Sequence, residues 1–327
     1  MPDVAARQVH RSQRLSGTKT RGWRLAGLGV LLWWAVLAPG PLSAAAAPPP
    51  EPDLLTRARL MYNQQQYDGA IALALKARSL PNLADAAGLI LARAYLERFR
   101  QSPNSEDLTA ARTALRDLRA GTLPPRDRVE LFIALGESLY IDAEFGAAAE
   151  LLDGALARAD QLGPAARERL LDWWASALDR QAQSQPVDHR SSLYSRILER
   201  MESELRWDPG SATAAYWVAA AARGVGDLDR AWDLAIAGWV RASFVRDRGA
   251  VLRADLNRLV LEGIVPERVR ERGSSEADRE RVTASMESTW AMVKQQWQPK
   301  GQPPDSAEVR NGQCAAERGQ HAVGSRQ

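Results

Sequence analysis

The chain has 327 residues, 43 Lys and Arg against 40 Asp and Glu, one Cys and three His. It is long enough for a sizeable core but poor in the side chains that build metal centres and nucleophilic relays. Cys314 has no partner for a disulfide, and His10, His189 and His321 are too dispersed to cluster, so zinc enzymes and Ser-His hydrolases are excluded.

In chain order, residues 1–24 are polar with six basic side chains and one acid, and they lead into the apolar run Leu25 to Ala38. As a helix that run spans about 21 Å, short of the ~30 Å hydrocarbon core of a bilayer, before Pro39, Gly40 and Pro41 break it. Ala44 and Ala46 then supply small residues for a cut before Ala47. The expectation is a signal peptide over 1–46, with an uncleaved anchor facing the periplasm as the alternative. The exported chain is then periplasmic or secreted. Without residues 1–46 there remain 37 basic and 39 acidic side chains, so a nucleic-acid partner lacks electrostatic footing. Ala47 to Pro52, APPPEP, is a stiff spacer.

Residues 53–244 read as about five pairs of short amphipathic helices, with apolar residues at steps of three and four. The first pair carries Leu54, Ala58 and Met61, then Tyr67, Ala70, Ala74 and Ala77. Leu91, Ala92 and Tyr95, then Ala111, Leu115 and Leu118, mark the second. The central pair has Leu131, Ala134, Leu135 and Leu139, then Phe145, Ala148, Leu152 and Ala155. Gly136, Ala148 and Ala155 stand where two antiparallel helices need close approach. The fourth has Leu171, Trp174, Ala175 and Leu178, then Tyr194, Ile197, Met201 and Leu205. Tyr216, Val218, Ala219 and Ala222, then Leu228, Ala231, Ala235 and Gly238, form the fifth. Two polar segments, RQSPNSEDL and QAQSQPVDH, are expected to form long turns within the second and fourth pairs, emerging from one edge.

Residues 245–298 are expected to form a helical cap: one helix with Leu252, Leu256, Leu259, Val260 and Ile264 that Pro266 ends, then a final helix capped by Ser274 or Ser275. That last helix carries the stripe Val282, Met286, Trp290, Val293 and Trp297. The polar segment 299–327, which contains Cys314, is expected to be disordered.

Leu135, Gly136, Leu139, Phe145, Ala148, Leu152 and Ala155 resemble the signature of the tetratricopeptide repeat family, a helix-turn-helix unit of about 34 residues. The resemblance implies an all-α helix-turn-helix repeat solenoid, a right-handed superhelix whose groove takes a protein or peptide partner, with no catalytic activity and no cofactor. It also implies that the first helix of each pair lines the groove. The candidates there are Arg59, Tyr62 and Asn63 from the first pair, Arg93 and Glu97 from the second, and Glu137, Tyr140, Tyr216 and Arg223 from the central and fifth. The subfamily that clamps C-terminal carboxylates has Lys and Asn at set places, and Leu55 and Arg59 depart from it. Contact with a membrane is expected only through an uncleaved N-terminal segment.

The alternative is a glycan-acting envelope enzyme, or its regulator, on a helical scaffold. Such chemistry needs one carboxyl raised by an apolar pocket beside a second acid. Glu137, Asp142 and Glu144 are candidates by proximity, yet Asp142 and Glu144 fall in a tight turn and Glu137 has no acid one helical turn away. The expectation is therefore a binding scaffold rather than an enzyme.

Overall fold

The computed structural model describes residues 53–245 and 248–298. The expected signal peptide, the spacer up to Pro52, and the tail with Cys314 lie outside the described residues. Within them the chain is helix and turn with no strand, and no helix is long and apolar enough to cross a membrane.

The first pair is α1 (Leu54–Asn63) with α2 (Tyr67–Arg78), and the second is α3 (Ala84–Gln101) with α4 (Ser105–Arg116). Then come α5 (Pro125–Ile141) with α6 (Phe145–Leu156), α7 (Pro164–Gln183) with α8 (Val187–Trp207), and α9 (Ala212–Gly224) with α10 (Leu228–Ala242). Their starts follow simple chemistry. Asp53, Asn104, Ser211 and Asp227 accept from backbone N–H groups of α1, α4, α9 and α10, while Pro125 and Pro164 open α5 and α7, where a missing N–H costs nothing.

Each helix packs on the next along the chain, and α1 also touches α3, α3 touches α5, and α7 touches α9. The stripes close into three successive core clusters. One spans Ala58 to Ala134, one Val129 to Ala221, and one Ala212 to Trp290. In the central pair Ala148, Leu152 and Ala155 are fully buried, and a Cβ on Gly136 would lie 2.8 Å from Leu152 Cγ. Ala148→Arg therefore overpacks the contact and buries an unpaired charge. It is expected to cost at least about 3 kcal/mol, read as a lowered urea midpoint.

The turns divide into two kinds. In the first, central and fifth pairs the residue two before the second helix has positive φ: Gln65 at 60°, Ala143 at 61° and Gly226 at 87°. The next N–H reaches back five residues, from Gln66 to Met61, Glu144 to Leu139 and Asp227 to Ala222, each at 2.9 Å. This closure satisfies otherwise orphaned helix-end carbonyls.

The second and fourth pairs turn differently, and not by long loops. RQSPNSEDL and QAQSQPVDH are mostly helical: α3 runs on to Gln101 and α7 to Gln183, leaving only Ser102 to Asn104 and Ser184 to Pro186 as turn. Arg, Gln and Glu are good helix formers that need no apolar stripe once the helix extends past its neighbour. Pro103 and Pro186 stop the extension, because the residue before a proline is pushed out of the helical region. Ser102 accordingly sits at φ −144° and ψ 95°.

A second departure lies beyond α10. The helix α11 (Gly249–Arg258) does not end at Pro266. It continues through a π-helical turn over Leu259–Ile264 into α12 (Val265–Arg272). Pro266 offers no N–H and crowds the preceding turn, and the wider π turn, with Val265 N–H bonded to Val260 O, absorbs it. The last helix, α13 (Glu276–Gln296), is capped by Ser275 and packs on α12 and α10. Of its stripe only Trp290 is buried; its ring lies 5.3 Å from that of Trp239 and its indole N–H donates to Asn257 at 3.0 Å.

Positive φ at a residue with a Cβ costs about 1 kcal/mol, so the two turn positions give opposite signs. Ala143→Gly is expected to stabilise by roughly 0.5–1 kcal/mol. Gly226→Ala, where no atom lies within 4 Å of the added Cβ, is expected to lose about as much by backbone strain alone. Thermal unfolding of the two variants checks this.

Candidate functional site

The first helices of four successive pairs, α1, α3, α5 and α7, border one cavity of about 650 Å³. Tyr62 and Asn63 reach it from α1, Arg93, Glu97 and Arg100 from α3, Glu130 and Glu137 from α5, and Arg169 and Trp173 from α7. Tyr67, at the start of α2, and Arg248, just before α11, complete the wall.

Its charges are arranged as pairs on aromatic supports. Arg93 donates to Glu130 at 2.8 Å and stacks on Tyr62, its guanidinium carbon 4.6 Å from the ring centre. Arg100 donates to Glu97 at 2.9 Å and lies 4.7 Å over Trp173. Arg126 also reaches Glu130, at 3.4 Å, and Arg248 bonds Asp172 at 2.6 Å. Stacking holds each guanidinium in a fixed plane, which suits a pre-organised lining.

Glu137 stands apart. Its side chain is 3 % exposed and Oε2 is buried without a hydrogen-bond partner. Burial, and after it the negative charge of Glu97, pushes the carboxyl up to about 7, against the opposing charges of Arg93, Arg100 and Arg169. The Tyr62 hydroxyl is also pushed up, first by burial. Glu97 and Glu137 each stand four residues before the end of their helix, α3 and α5. They occupy the same place in successive pairs, a relation that counting acids one turn away on a single helix misses.

Of the sequence candidates, Tyr62, Asn63, Arg93, Glu97 and Glu137 line this cavity; Arg59, Tyr140, Tyr216 and Arg223 do not. Arg59 is held by buried Asp127 at 2.5 Å. Tyr140 is wedged edge-on between Phe145 and Trp173, with ring centres 5.2 and 5.1 Å away. Tyr216 packs edge-on against Trp217, and burial raises its hydroxyl. Arg223 bonds Glu267 of α12 at 2.5 Å. Sequence reasoning missed Arg100, Arg126, Glu130, Arg169, Trp173 and Arg248. A repeat register would have found Arg100 and Trp173, since both lie on first helices, but nothing local points to Arg248. Asp142 and Glu144 are exposed in the central turn, away from Glu137's cavity. Among the described residues no group of three His, Cys, Asp or Glu side chains could hold a metal ion.

Comparison with protein-family models, curated proteins and solved structures finds no match to this chain.

Because Glu137 takes up its proton more readily when folded, its contribution to stability is complete below about pH 4.5. It is lost as pH rises through about 7, on the order of 3 kcal/mol in all. Glu137→Gln lacks this slope. Its melting temperature relative to wild type is expected to rise steadily from mildly acid to mildly alkaline buffer, and a constant difference would contradict the buried, unpaired carboxyl.

Proposed function

We propose that the chain is an exported scaffold of the tetratricopeptide type, a right-handed stack of helix pairs that holds a segment of a protein partner in the cell envelope. The observation that carries this reading is the cavity bordered by α1, α3, α5 and α7, the first helices of four consecutive pairs. A lining drawn mainly from one helix per pair lets an extended segment touch several units at once. Arginines stacked on Tyr62 and Trp173 supply the residue types that dominate protein recognition. Periplasmic or secreted placement is part of the proposal and rests on the apolar run after Arg24 with its small-residue cleavage site.

The full chain carrying a photo-crosslinking residue at Asn63 or Arg126, both exposed at the cavity, tests it in envelope extract. The same label at exposed Leu75 of α2 serves as control. Discrete crosslinked bands are expected from the cavity positions and not from Leu75. Equal labelling from all three would remove the basis for the proposal.

A second reading, a glycan-acting enzyme or its regulator, is favoured by one observation: Glu137 is buried, held protonated to about 7, and near the charge of Glu97. Release of soluble fragments from cell-wall glycan by the purified protein, abolished in both Glu137→Gln and Glu97→Gln, would decide for it.

A further inference from the structure

We propose that the cavity selects segments carrying a basic side chain, whose ammonium or guanidinium group pairs with Glu137 while its apolar stem lies along the aromatic wall. This rests on the reading of the cavity as a peptide site. The first ground is that Glu137 makes no hydrogen bond or ion pair among the described residues, and it has the one carboxylate oxygen among the buried side-chain atoms that lack a partner. The others are N–H groups of arginine and tryptophan. Each of those arginines is ion-paired through another nitrogen. Among the described residues an unpaired guanidinium N–H is thus commonplace, and an unpaired buried carboxylate is particular to the cavity.

The second ground is the state of the neighbouring charges. From α3, Arg93 is engaged by Glu130 and Arg100 by Glu97, each over an aromatic ring. Tyr62 of α1 and Tyr67 of α2 also face Glu137, and burial first and nearby acids after it raise their hydroxyls, which remain neutral near physiological pH. From α7 comes Arg169, exposed and without a hydrogen bond or ion pair of its own among the described residues. With the other cavity arginines taken up, one buried acid and one rim base remain. The buried acid carries the desolvation penalty, so it gains more from an entering cation than the exposed base gains from an anion. Tyr62, Tyr67 and Trp173 offer the stem an apolar bed and the cation ring faces.

The test uses the full chain with immobilised short peptides of randomised flanks and a fixed central Lys, Arg, norleucine or Glu. Lys and Arg peptides are expected to be retained about tenfold over norleucine. Their affinity should rise about tenfold between about pH 6 and about pH 8, because the bound form needs Glu137 ionised and the free carboxyl titrates near 7. Glu137→Gln should abolish both the preference and the pH dependence. Arg169→Gln, on the exposed rim, should strengthen Lys-peptide binding at about pH 9, where Glu137 is ionised in both variants, by removing a competing cation. Equal retention of norleucine, tighter binding at the lower pH, a preference for the Glu peptide, or weakening by Arg169→Gln at about pH 9 would each overturn the inference while leaving the cavity a peptide site. Retention of no peptide from any set would bring down the underlying reading as well.

Discussion

Close approach between helices is the constraint on which everything else here depends. Alanine and glycine at the contact positions, such as Ala148 facing Gly136 with Leu152 laid across it, let antiparallel helices pack with almost no side chain between their backbones. Buried area per contact is then modest, so no pair can stand alone. Each must place its second face against the next pair, and the order of the helices along the chain becomes their order in space. The cavity lies where α1, α3, α5 and α7 present polar residues to one space.

Turn chemistry sets how regular the stack is. Where a left-handed residue closes the turn, at Gln65, Ala143 and Gly226, the same backbone hydrogen bond ends the first helix each time. Where proline stops the first helix instead, at Pro103 and Pro186, helices grow long, and α7 and α8 span 20 and 21 residues. The irregular pairs alternate with the regular ones. The extra turn of α3 carries Arg100 over Trp173, which lies in the middle of α7, beside the cavity.

Most of the fold was legible in the sequence because the apolar period is a local signal that survives any tertiary context. The five pairs and the buried status of Ala148, Trp174 and Trp290 follow from it. What was illegible lies where polar residues have two uses. RQSPNSEDL reads as loop by composition, yet the same side chains are content on an exposed helical extension, and no pattern distinguishes these until the neighbouring helix is in place. Pro266 illustrates a related failure, since a proline ends a helix only if the backbone cannot widen to admit it. For the cavity, Tyr62, Asn63, Arg93, Glu97 and Glu137 were legible as lining because register gives the inner face of each first helix. Arg59 and Arg223 lie outside the lining, each paired with a carboxylate on a neighbouring element. Trp173 was overshadowed by Trp174, one position and about 100° round the helix, which the stripe claims for the core.

The ion pair between Arg248 and Asp172 joins residues 76 positions apart and passes over the whole fifth helix pair. In a strictly nearest-neighbour stack, unfolding can begin at either end and proceed unit by unit, each loss independent of those farther along. A tie that skips a unit changes that arithmetic. The segment before α11 is fastened to α7, so the intervening pair is enclosed in a loop of structure whose two anchor points must part before it can peel away freely. The residue that precedes α11 is thereby part of the cavity wall, so releasing α11 from α7 would take Arg248 out of the lining of the pocket.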